Sequence, residues 1–206
     1  MEQVTVAILA GGTSKRFGSE KALAGFNGRP LVSHMVNIAR KLSNEIMIVA
    51  SDERQEEALR EAVPDISIVV DPPGDVKCAL VGALTAFEFT STDHVLLLPV
   101  DSPLANSELL RLLMRMCEGH GAVVPSWPSG YIEPLHSVYL AEHAYYHGIQ
   151  VMEEGKFRMR NLLEKLQSVL YISTETLKQF DTDLKTFTNF NTPKELKIAE
   201  RKFGKK

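Results

Sequence analysis

Gly11 and Gly12 follow an apolar run, Val4 to Leu9, with one alanine between, and are followed in turn by Arg16, Gly18 and Lys21. Glycines let a backbone come close to a ligand and turn its amides toward phosphate oxygens. Arg16 and Lys21 add charge where a bound triphosphate would lie. The spacing is not that of a P-loop, because five residues separate Gly12 from Gly18 and no lysine follows Gly18 directly; nor is it GxGxxG. Kinase and dinucleotide-binding readings therefore lose their main support. A plain surface turn is the competing reading, but the crowding of these residues just after a buried strand favours a phosphate-binding loop. Asp101, between Val100 and Ser102-Pro103, is a carboxylate suited to Mg2+, a hard ion that prefers oxygen ligands and keeps several waters. Its rival role is a helix N-cap. Asp71 precedes Pro72-Pro73-Gly74 and reads equally as a ligand contact or a turn-forming aspartate.

These residues need a frame that brings them together. Val4 to Leu9, Glu45 to Ala50, Ile66 to Val70 and His94 to Leu98 are short runs rich in Val, Ile or Leu, as in strands buried on both faces of a parallel sheet. Helical patterns lie between and after them: Leu31, Met35, Ile38, Ala39 and Leu42; Arg54 to Glu61; Leu80, Ala83, Leu84 and Phe87; Leu109 to Met116. This alternation predicts right-handed crossovers and a doubly wound α/β sheet. In such a sheet ligands bind beyond the carboxyl ends of the strands. The glycine-basic loop, Ser51-Asp52, Asp71 and Asp101 all fall at those ends. Further on, Gly121 to Pro125, Leu135 to Leu140 and Val169 to Ser173 read as strands, and Met159, Leu162, Leu163 and Leu166 as a helix. Thr192, Pro193 and Glu195 form a capping box with proline at the first helical position.

The 206 residues suit one α/β domain spanning 1–206. The net charge of −3 argues against a broad nucleic-acid-binding surface, which needs a basic field. Cys78 and Cys117 have no metal-site spacing and read as reduced thiols. No stretch reaches a membrane span, and Met1-Glu2-Gln3 lacks the basic region of a signal peptide; a cytoplasmic protein is expected.

Leu9-Ala10-Gly11-Gly12-Thr13-Ser14-Lys15-Arg16-Phe17-Gly18-Ser19-Glu20-Lys21-Ala22-Leu23 resembles the LAGGxSxRxGxxKAL signature of the MobA-like nucleotidyltransferases. Gly28-Arg29-Pro30-Leu31 with His34, Pro99-Val100-Asp101-Ser102-Pro103, Glu133-Pro134-Leu135-His136-Ser137-Val138-Tyr139 and Phe187-Thr188-Asn189-Phe190-Asn191-Thr192-Pro193 resemble further landmarks in family order. The resemblance runs from about Val4 to Leu196. It implies a three-layer, mostly parallel sheet of the nucleotide-diphospho-sugar-transferase-like Rossmannoid type. It also implies transfer of GMP from GTP to molybdopterin, with Mg2+ as cofactor and handover partners in molybdenum cofactor biosynthesis. By the same resemblance Leu9, Ala10, Gly11 and Gly12 hold the guanine nucleotide with their backbone, Arg16 and Lys21 contact phosphates, Asp71 lies near the nucleoside and Asp101 binds Mg2+. Asn189 and Asn191 face the acceptor; the rival reading of Asn191 is a residue shaping the turn before the cap. A cobinamide-phosphate guanylyltransferase, a molybdenum cofactor cytidylyltransferase and a non-catalytic GTP-binding regulator are the alternatives.

The pattern departs from the family at Cys78-Ala79-Leu80-Val81-Gly82, where a GPLxG stretch is usual. A cysteine at a position needing positive φ would be strained. Whether Ser51 or Asp52 serves the site is open. Lys156, Arg158 and Arg160 read as a solvated face rather than an acceptor-phosphate contact, and His136 as a core histidine rather than a general base.

Overall fold

A computed structural model describes residues 3–11 and 20–203. Gly12 and Arg16 lie outside the described residues. The chain opens with β1 (Val4–Leu9), followed by a small hairpin of β2 (Gly25–Phe26) and β3 (Arg29–Pro30). Then come α1 (Leu31–Ala39), β4 (Ile46–Ala50), α2 (Glu53–Ala62), β5 (Ser67–Val70), α3 (Ala79–Phe89), β6 (His94–Pro99) and α4 (Ser107–Arg115). The second half contains β7 (Ala122–Ser126), β8 (Val138–Leu140), α5 (Ala141–Glu153), α6 (Met159–Lys165), β9 (Val169–Ser173), α7 (Thr174–Leu177) and α8 (Pro193–Phe203).

Seven strands form one sheet in the order β5-β4-β1-β6-β8-β7-β9. β5, β4, β1 and β6 run parallel, β8 is antiparallel to both neighbours, and β9 is parallel to β7. Alternate residues of β1 serve opposite cores. Val6 and Ile8 pack with Met35, Leu109 and Leu196 on one face, while Ala7 and Leu9 pack with Leu80, Ala144 and Leu162 on the other. The sheet is thus the middle of three layers, as expected. The chain leaves β1 toward β4 on one side and later returns to β6 on the other. The carboxyl ends of β1 and β6 are therefore the switch point at which such sheets bind ligands.

Side chains cap the starts of α2, α4 and α7, the last through Ser173. Asp52 accepts from the Gln55 N–H at 2.9 Å, and Asn106 from the Glu108 N–H at 2.8 Å. At α8 the expected box is shifted by one residue: Thr192 Oγ1 accepts from the Glu195 N–H at 3.2 Å, but the Glu195 carboxylate takes the Asn191 N–H at 2.6 Å.

Two expectations are corrected. The strand expected over Leu135 to Leu140 is confined to Val138–Leu140. The residues before it are turned: the His136 N–H and the Ser137 hydroxyl both donate to Glu133 O, at 3.0 and 2.7 Å. Helix α5 is an addition to the elements expected from the sequence. Its buried face is Ala141, Ala144, Gly148 and Val151, mostly small residues that carry little hydrophobic signal. Their smallness serves packing: a Cβ on Gly148 would sit 2.4 Å from Leu84 Cδ2 of α3.

Candidate active site

A cleft of about 500 Å3 opens at the switch point, a size that accommodates a nucleotide. Its floor and walls include Leu9, Ala10, Gly11, Ser51, Asp71, Cys78, Gly82, Asp101 and Asn191. Strand ends β1, β4, β5 and β6 each contribute, so the convergence expected from the strand pattern is realised.

Gly11 sits where a side chain would crowd the cleft. A Cβ there would meet Ser51 Cβ at 3.3 Å and Asp71 Oδ2 at 3.5 Å. Ala10 donates its N–H to Val49 O at 2.9 Å and its carbonyl accepts from Gln55 Nε2 at 3.1 Å. The N–H and carbonyl of Ala10 are thus both used within the protein. The ambiguity after β4 is resolved: Ser51 lines the cleft, while Asp52 caps α2. Asp71 accepts from the Thr85 hydroxyl at 2.7 Å. Burial pushes its carboxyl above the usual range, opposed by that hydrogen bond and by the Lys77 charge.

Gln55 is a site residue that the sequence pattern does not single out. It is buried and makes three bonds that tie strand ends to the end of the glycine loop. Its amide donates to Ala10 O and, at 2.5 Å, to Glu20 Oε1, while its oxygen accepts the Ser51 N–H at 2.6 Å. The only sequence signal for it is a polar residue in the first turn after an Asp cap. Gln55→Leu should leave two buried backbone groups unpaired and cost about 2–3 kcal/mol. A thermal melt should show the loss, and titration with GTP a weaker affinity; an unchanged melting temperature would contradict this account.

Lys21 belongs to a single 3-10 turn, Lys21–Leu23, at the end of the loop. Its ammonium pairs with Asp101 Oδ2 and donates to Asn191 Oδ1 at 3.1 Å. The three expected residues therefore meet, although they lie far apart in sequence. Asp101 Oδ1 is buried and has no hydrogen-bond partner among the described residues. Asn189 does not line the cleft; its Oδ1 accepts from the Ser102 hydroxyl at 2.5 Å. The Phe190 N–H donates to Asp101 O at 3.0 Å, and the Phe190 ring stacks on Phe26 at 5.8 Å. The segment Asn189–Asn191 is thus tied across the metal-candidate carboxylate.

Behind it, His136 is fully buried and its Nε2 lies 3.1 Å from Ser102 Oγ. It is a core histidine, as the sequence favoured. Burial pushes its pKa down to about 3, so the 3.9 Å approach of Nδ1 to Glu133 Oε2 is not an ion pair. Glu133 accepts from Trp127 Nε1 at 2.8 Å, and its carboxyl is raised by burial, with that bond opposing. Because unfolding lets His136 regain an ordinary value near 6.5, the unfolded chain takes up a proton that the native one refuses. Stability should therefore fall as pH drops below about 6.5, by about 1.4 kcal/mol per unit down to about 3. Glu133 and Asp71 work in the opposite sense, since the native state holds their protons more tightly. Melting wild type and His136→Phe between neutral pH and pH about 4.5 separates the terms: the variant's melting temperature should fall less steeply.

Cys78 causes no strain. It precedes α3 with φ −147° and ψ 167°, extended backbone that any residue adopts. The expected cost of losing a glycine there is absent. Lys156 pairs with Glu154 at 2.8 Å, and Arg160 donates to Gly130 O at 2.9 Å. Arg158 stands at the cap position of α6. None of the three lines the cleft.

Fold and cleft together define an α/β protein with a cleft at the switch point of its sheet, where proteins of this architecture bind ligands. The family model described as the MobA-like NTP transferase domain matches residues 6–169. The chain belongs to that family. A probable molybdenum cofactor guanylyltransferase of Pyrococcus horikoshii is 31% identical over 179 residues, covering 85% of this chain and 88% of the relative. Another, of Methanothermobacter thermautotrophicus, is 31% identical over 202 residues, covering 94% and 98%. The crystal structure of molybdopterin-guanine dinucleotide biosynthesis protein A from Archaeoglobus fulgidus superposes with a TM-score of 0.82 at 28% identity, covering 96% of this chain and 97% of that one. The 4-diphosphocytidyl-2C-methyl-D-erythritol synthase of Anaerococcus prevotii, at 12% identity and a TM-score of 0.72, shares the fold.

Proposed function

We propose that this protein transfers GMP from GTP to molybdopterin, releasing pyrophosphate and forming molybdopterin guanine dinucleotide. The observation that carries the reading is the meeting of Lys21, Asp101 and Asn191 at one cleft, where the nucleotide loop, the β6 carboxylate and the acceptor-side segment adjoin. The relatives named as guanylyltransferases support GTP and molybdopterin as the substrates.

The chemistry is in-line displacement. A terminal phosphate oxygen of molybdopterin forms a bond to the α-phosphorus of GTP, the bond from that phosphorus to the bridging oxygen breaks, and pyrophosphate leaves with the electron pair. Little covalent work falls to the protein; orientation and stabilisation of developing charge do most of it. In this reading the backbone at Gly11 and Gly12 and the Asp71 carboxylate position the nucleoside, with Leu9 and Ala10 holding that loop to the sheet, and Arg16 and Lys21 supply charge for the phosphates. Asp101 would hold Mg2+. The unpartnered Oδ1 fits this role, and the described residues contain no cluster of three or more His, Cys, Asp or Glu that could form a closed cage. Bound there, such an ion would supply charge neutralisation for the triphosphate. Asn191, and Asn189 beside it, face the acceptor. Consumption of GTP suits a reaction in the cytoplasm, with handover partners that supply and receive the cofactor.

Pyrophosphate release with GTP, CTP and ATP, each with Mg2+ and each with and without molybdopterin, tests the proposal. Release confined to GTP with molybdopterin is expected. GTP binding without release would redirect attention to other phosphorylated acceptors such as cobinamide phosphate.

A further inference from the structure

Ser102, His136 and Glu133 form a buried polar group behind Asp101 that the reaction above leaves unused. Polar groups withdrawn from water are costly unless bonded, and when bonded in series they impose direction. The direction is readable here. Ser102 Oγ lies 2.5 Å from Asn189 Oδ1, a carbonyl oxygen that can only accept. The Asn189 amide therefore meets Ser102 through Oδ1, and Ser102 uses its single proton on it. His136 Nε2, 3.1 Å from the same Ser102 oxygen, must then be a donor. Its Nδ1 is left with a bare lone pair, in keeping with the lack of a hydrogen-bond partner there among the described residues. Neutrality enforced by burial leaves Nε2 the only protonated ring atom, and Phe187, edge-on at 5.3 Å and 87°, holds the ring plane.

We infer that His136 is a positioning residue for the acceptor side: by donating to Ser102 it obliges Ser102 to donate to Asn189, fixing that carboxamide with its oxygen inward and its Nδ2 amino group presented outward. Asn189 is exposed, so it offers a ligand a donor, suited to a phosphate oxygen or to a carbonyl or ring-nitrogen lone pair. Its partner on the ligand must be an acceptor atom. The identity of the ligand rests on the reading proposed above; the direction of the chain does not.

The first test needs no ligand. In 15N-labelled protein, long-range proton–nitrogen correlations should show His136 protonated at Nε2 and bare at Nδ1 across neutral pH. An Nδ1–H tautomer would overturn the inference. The second compares variants. Ser102→Ala should leave the GTP Kd within about twofold and raise KM for molybdopterin about tenfold, the loss of one positioning hydrogen bond. His136→Phe, which keeps the ring packing, should match it. His136→Gln, which returns an N–H near the Nε2 position, should recover most of the loss. Unaltered acceptor KM in Ser102→Ala, or equal loss in the Gln and Phe variants, would sink the donor role. Should wild type show no turnover with molybdopterin, the acceptor reading fails by itself. The side-chain amide resonance of Asn189 then decides: a clear shift in Ser102→Ala upholds the chain, and an unmoved resonance refutes it.

Discussion

Asp101→Asn is expected to lower kcat for pyrophosphate release by on the order of 10²- to 10³-fold, the cost of removing one contact that stabilises transition-state charge. The change keeps the shape of the side chain and removes its charge. Asp101 is largely shielded from water, with Oδ2 on Lys21 and Oδ1 without a hydrogen-bond partner among the described residues. A neutral amide would leave Lys21 without that carboxylate and would bind a divalent cation weakly. Raising Mg2+ should therefore restore little activity. Because the backbone of residue 101 still accepts from Phe190, the segment that crosses it should stay in place and the melting temperature should change by only a few degrees. A variant with near wild-type kcat at ordinary Mg2+ would show that Asp101 is not the metal ligand. A variant that fails to fold would be recognised by its melt, and Asp101→Glu, which keeps the charge but moves it, would then carry the test.

Much of this site is legible in the sequence because strand ends are legible. β1, β4, β5 and β6 are mostly apolar runs, and the residues just beyond them, Gly11, Ser51, Asp71 and Asp101, land on the ligand-binding edge by topology alone. Contacts made across long separations are not legible in this way. Ser51 and Asp52 are adjacent and both polar, and the choice of Ser51 for the cleft follows only from where α2 begins. Gln55 is hidden for a similar reason, since its partners Ala10, Glu20 and Ser51 come from separate segments. Helix α5 escapes a periodicity argument because its buried side is built largely of alanine and glycine, whose contribution is closeness of approach to α3 rather than hydrophobic bulk. Cys78 misleads in the other direction: a family glycine suggests a special conformation, yet the backbone there is extended.

Lys21→Met should have the second large effect and should reveal how the site is coupled. Methionine keeps most of the apolar stem and loses the ammonium. That ammonium joins three parts of the chain: the end of the nucleotide loop, Asp101 of the β6 end and Asn191 of the acceptor-side segment. Its removal should reduce kcat/KM for GTP by on the order of 10²-fold or more and should also raise KM for the acceptor, because Asn191 loses the bond to Lys21. Loss confined to GTP would mean the Asn191 contact has no functional weight. Lys21→Arg should not rescue, since a planar guanidinium cannot replace a compact charge that donates to two oxygens from different directions. Coupling is measured by the double variant. Lys21 and Asp101 touch, so the cost of Lys21→Met with Asp101→Asn should be well below the sum of the single costs. Full additivity would indicate that the two residues act on the triphosphate independently and that their pairing in the unliganded protein is incidental to catalysis.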